Sequence, residues 1–89
     1  LEETRRMLRK EIEQAQIDAA NARERLASAL QAERANLLAC HYEQEKYAAG
    51  KSTLYVLSQA QQKLIAARND AVQARCELAL RLRILKYYD

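Results

Sequence analysis

The sequence predicts an all-α fold, a long antiparallel two-helix coiled-coil hairpin, and three observations carry that prediction. Apolar residues recur at three- and four-residue spacing through two long stretches. The chain has a single glycine, Gly50, and no proline at all. Ala occurs seventeen times while Phe and Trp are absent, a balance that suits long helices better than sheets or a compact globule. The 89 residues read as one domain, with a helix over about 2–48, a turn over about 49–52 and a second helix over about 53–87.

In the first stretch, Leu8, Ile12, Ala15, Ala19, Ala22, Leu26 and Ala29 form one stripe, which is expected to drift onto Leu30 and Leu37. Glu2 with Arg6, and Arg9 with Glu13, stand four residues apart and add slight support to the exposed side. A second, offset stripe runs through Ile17, Ala20, Ala27, Leu38 and Tyr42. Two stripes are more than one coiled-coil seam requires, so this helix expects neighbours on two sides. Alanine at seam positions also lets helix axes approach closely.

The turn centres on Gly50. Glycine takes the left-handed conformation that closes a helix C-terminus at little cost, and Ser52 or Thr53 can cap the helix that follows. In the second helix the heptad is clean: Leu57, Leu64, Ala71, Leu78 and Leu85 at seven-residue intervals, with Ala60, Ala67 and Ala74 between them. Arg81 takes the next interleaved position and is expected to pair with Glu77 four residues before it, the seam opening there to solvent or to a polar neighbour. A further stripe of Ile65, Val72, Cys76, Leu80, Ile84 and Tyr87 makes this helix two-sided as well. The surplus stripes must meet other helices, in an α-barrel or in a bundle made by dimerisation. Leu1 stands in mid-pattern and the apolar stripe still runs at the last residues, so the chain is expected to be a piece of a longer protein.

Composition narrows the chemistry. From Leu1 to Tyr47 there are eight Lys/Arg against nine Asp/Glu, and from Ala48 to Asp89 seven against three. The basic charge is spread along the second helix without interleaved aromatics, so no nucleic-acid partner is expected. Cys40 and Cys76 are displaced along the hairpin by roughly 22 Å, too far for a disulfide, and both read as small packing residues. His41 is the only possible nitrogen ligand and also reads as packing beside Leu37 and Cys40. No metal site, cofactor or catalytic constellation is expected, and two helices enclose no pocket. The chain is not expected to be an enzyme.

From Lys46 onward, KYAAGKSTLYVLSQAQQKLIAARNDAVQARCELALRLRILKYYD resembles the C-terminal helical hairpin of the TolC-like outer-membrane efflux protein family. Lys46, Tyr47 and Gly50 match that family's basic residue, tyrosine and turn glycine. Leu57, Ala60 and Gln61 fit the segment that opens its Ala-rich returning helix. The resemblance implies a homotrimeric channel in the cell outer membrane, with this segment in the periplasm as part of an α-barrel. It implies that Tyr47 lies at the aperture and that Gly50, Lys51 and Ser52 form the rim that docks a periplasmic adaptor protein, and through it an inner-membrane pump. Two features depart from the family. Val56, Ser58 and Gln59 stand where acidic residues often follow the turn, so no acidic ring is expected from this hairpin. Ser52 stands nearest to the position of a turn arginine, so a gating latch would be weaker or differently placed. Cut from its barrel, the chain is expected to self-associate as a dimeric four-helix bundle. The alternative is a structural coiled-coil hairpin from another system, such as a periplasmic adaptor protein.

Overall fold

A computed structural model describes residues 1–88. Two helices account for nearly all of it: α1 over Glu2–Ala48 and α2 over Leu54–Tyr87. They lie antiparallel as a hairpin whose extents are 73 × 16 × 13 Å. The long dimension is that of α1 itself, since 47 residues at 1.5 Å per residue span about 70 Å. No helix among the described residues is long and apolar enough to cross a membrane.

Both helices are held together along a strict heptad seam. In α2 the covered positions are Leu57, Ala60, Leu64, Ala67, Ala71, Ala74, Leu78, Arg81 and Leu85, all buried or half-buried. In α1 the seam runs Ile12, Ala15, Ala19, Ala22, Leu26 and Ala29, then continues through Glu33, Asn36, Cys40 and Glu43. The expected drift onto Leu30 and Leu37 does not occur as a change of seam. Leu37 stays exposed, because following it would turn α1 away from a partner whose heptad is unbroken. Leu8 is exposed as well. Tyr88 Oη donates to Glu11 at 3.5 Å, so residues 1–10 overhang the last described turn of α2.

That contact, with the Arg25–Glu77 and Arg81–Asp18 ion pairs, fixes the register. It sets Ala22 across from Leu78, Leu26 across from Ala74 and Ala29 across from Ala71. Large and small residues therefore alternate across the seam and interdigitate, and the Ala29–Ala71 level lets the backbones come closest. Burial is deepest nearby, with Ala71 2% and Ala74 1% exposed.

Several local expectations yield to this tertiary arrangement. Glu77 does not pair with Arg81; each crosses to α1, Glu77 to Arg25 and Arg81 to Asp18 at 3.8 Å. A cross-helix partner half-screened from water outweighs an exposed neighbour on the same helix, which contributes only about 0.2–0.5 kcal/mol. Neither Glu2–Arg6 nor Arg9–Glu13 is among the ion pairs of the described residues. Cys40 is buried in the seam as expected, whereas Cys76 is exposed on the outer side of α2, and both thiols are free. His41 is also exposed rather than packed, with Nε2 3.2 Å from Glu45.

Candidate functional site

The closed end of the hairpin is where backbone, polar network and exposed apolar side chains converge. Gly50 has φ +74°, the left-handed region that side chains resist. Its N–H donates to Tyr47 O at 3.0 Å and the Lys51 N–H donates to Lys46 O at 2.8 Å. These two bonds form a Schellman closure of α1, satisfying carbonyls that the helix end would otherwise leave open. A Cβ built on Gly50 meets nothing within 4 Å. The glycine is needed for its backbone conformation, and the space above it is open.

Thr53 opens α2. Its backbone is extended at φ −102° and ψ 157°, and its Oγ1 accepts from the Val56 N–H at 3.3 Å, an N-cap of ordinary form. The choice between Ser52 and Thr53 as cap is thereby resolved. Ser52 has another partner: its hydroxyl donates to Glu43 at 3.0 Å, and Ser52 is half-buried.

Glu43 joins the parts of the tip. It accepts from Ser52 and lies 3.7 Å from Lys46 Nζ, while Lys46 also stands 5.0 Å from the centre of the Tyr42 ring. The carboxylate ties the last turns of α1 to the loop that follows, and the lysine is held between a charge and an aromatic face. Apolar periodicity passes over Glu43 because it marks the seam by hydrophobic residues. The signal that finds it is positional, Glu43 falling seven residues after Asn36 on the same heptad line.

Around this closure lies a collar of exposed side chains. Tyr47 is 43% exposed, Leu54 61% and Tyr55 71%, and Lys51 is exposed between them. The Tyr55 hydroxyl accepts from Gln59 Nε2 at 2.9 Å, which steadies its ring against α2. Tyr47, Gly50 and Lys51 thus share one exposed tip, with Ser52 turned partly inward beneath them. Exposed tyrosines and leucine beside a bare turn offer apolar area at low entropy cost. Among the described residues no three of His, Cys, Asp and Glu stand close enough together to hold a metal ion.

Away from the tip, the second stripes foreseen on both helices remain uncovered. Leu38 is 71% exposed on α1 and Ile65 58% on α2, with Ile17, Val72, Leu80 and Tyr87 likewise open to solvent. Comparison with family models, with curated proteins and with solved structures gives no match for this chain.

Proposed function

We propose that the chain is one helical hairpin of an outer-membrane efflux channel of the TolC-like type, lining the periplasmic tunnel and presenting its turn as the aperture rim that docks a periplasmic adaptor. The observation that carries this reading is the tip: Tyr47, Leu54 and Tyr55 stand exposed around a glycine closure with free space above it. An adaptor's helical hairpin can approach such a turn closely, because no Cβ stands in its way. The length of the rod and its uncovered stripes agree with a helix pair that needs neighbours on both sides, as in a barrel wall. On this reading the parent protein is a homotrimer, and the adaptor connects it to an inner-membrane pump.

Binding of this chain to the hairpin tip of a periplasmic adaptor tests the proposal, with Gly50→Trp and Gly50→Asn compared against the native chain. Asparagine tolerates positive φ and is small, so Gly50→Asn should retain most binding. Gly50→Trp should abolish it while the helix content is kept. Equal binding by both variants, or no binding by the native chain, would overturn the docking role.

A further inference from the structure

The two broad sides of the hairpin differ in charge and in pairing. One side carries every ion pair between the helices, Arg25 with Glu77 and Arg81 with Asp18, together with the Tyr88–Glu11 contact. Because Arg25 and Glu77 flank the seam there, the residues flanking it on the opposite side are fixed by the same heptad. On α1 these include Arg23, Leu30, Arg34, Leu37 and His41, and on α2 Ile65, Arg68, Val72 and Arg75. From Gln16 to Ala48 on α1, and along the whole of α2, the positions flanking the seam on this side hold no acidic residue, and the one carboxylate paired with a strip residue is that of Glu45, on His41 beyond the arginine levels. Arg23, Arg34, Arg68 and Arg75 are exposed and belong to no ion pair of the described residues.

The antiparallel register arranges these residues in levels. Arg23 and Arg75 share one level, Leu30 and Val72 the next, Arg34 and Arg68 the next, and Leu37 and Ile65 the last. The steps between levels are seven, four and three residues on α1 and three, four and three on α2, so successive levels lie roughly 4–8 Å apart along the axis at 1.5 Å per residue. Leu30 is half-buried, while Leu37, Ile65 and Val72 are exposed. The surface is a shallow strip over the seam on which paired arginines alternate with paired aliphatic side chains.

We infer that this strip is a docking surface for an acidic amphipathic α-helix of another protein, one that presents carboxylates and aliphatic side chains in alternation along one face. Such a helix, laid along the hairpin, brings an acidic residue to the Arg23/Arg75 and Arg34/Arg68 levels and an aliphatic residue to the levels between. Guanidinium groups suit this role because they pair with carboxylates in a fork and remain charged when partly desolvated. A second copy fits less well. Its like side would set arginines against arginines, and most acidic residues of its other side already have partners. Nucleic acid would use the arginines but gain nothing from Leu37, Ile65 and Val72, and no aromatic ring stands among them to stack a base. The inference stands apart from the channel reading and does not depend on it.

The test uses this chain and a fluorescently labelled, end-capped helical peptide with Glu and Leu alternating at four-residue intervals along one face. A second peptide has Lys in place of each Glu, and a third probe is a 20-base-pair DNA duplex. The acidic peptide should bind, with an affinity that falls as salt is raised, and the lysine peptide should not. Arg34→Gln with Arg68→Gln should weaken binding by at least about tenfold. Ile65→Ser with Val72→Ser should weaken it to a similar degree. All four side chains lie outside the seam core, so the thermal midpoint and helix content should stay near native and separate a lost contact from a lost fold. Failure of the acidic peptide to bind, equal binding by the Arg34/Arg68 variant, or tighter binding of the duplex than of the peptide would overturn the inference.

Discussion

Gly50 and Thr53 set the geometry of the tip by different physical means, and each makes its own prediction. At Gly50 the constraint is φ +74° with open space around the position. Gly50→Ala should therefore destabilise the hairpin by about 1–2 kcal/mol through left-handed strain alone. Gly50→Asn should cost less, since asparagine visits that region more readily. Urea unfolding followed by circular dichroism measures both, and a larger loss for Gly50→Asn than for Gly50→Ala would show that size, not backbone, is the constraint. At Thr53 the side chain satisfies one orphan donor of α2, the Val56 N–H. Thr53→Ala should cost about 1 kcal/mol in the same measurement, while Ser52→Ala should act through the Glu43 contact instead.

The helices owe their pairing to a seam that alternates small and large residues. Ala71 lies across from Ala29 and is 2% exposed, so Ala71→Leu should force the axes apart and cost about 1–3 kcal/mol by overpacking, read as a lowered thermal midpoint. Asn36 occupies a seam position and its Nδ2 donates to Ala32 O at 2.8 Å within its own helix. Such a residue holds register at a cost in stability. Asn36→Leu should raise the midpoint and loosen the pairing register, which disulfide trapping between paired cysteine substitutions on α1 and α2 would detect. The two elements and their break were legible because apolar heptads cover most of α1 and of α2, and because Gly50 is the one glycine in the chain. The middle of α1 was less legible. Glu33, Asn36 and Glu43 complete its seam, and a reading that follows hydrophobic residues passes over polar ones that the partner helix covers. Arg81 and Glu77 were misjudged for a related reason, since four-residue spacing shows the neighbour on the same helix and is blind to the one across the seam.

At the scale of the whole molecule, the surface is large for the mass. The chain exposes 7360 Å², whereas a compact monomer of 10.2 kDa exposes about 5,300 Å². The difference is comparable to the ~1,600 Å² buried in total by a protein–protein interface of standard size, and Ile17, Leu38, Ile65, Val72, Leu80 and Tyr87 supply apolar side chains for such contacts. The uncovered apolar positions were legible in the sequence as surplus stripes. The exposed collar of Tyr47, Leu54 and Tyr55 was legible only in part, because the path of the chain from Gly50 to Thr53 decides which side chains meet at the tip. The central claim is that this hairpin belongs to a larger helical assembly. Sedimentation equilibrium over a wide concentration range tests it most directly, under reducing conditions so that Cys76 cannot cross-link molecules. Concentration-dependent association to a dimer is the expected result, and it should be weakened by Leu38→Ser or by Leu80→Ser, both exposed away from the arginine strip. A well-folded monomer at every concentration would contradict the claim.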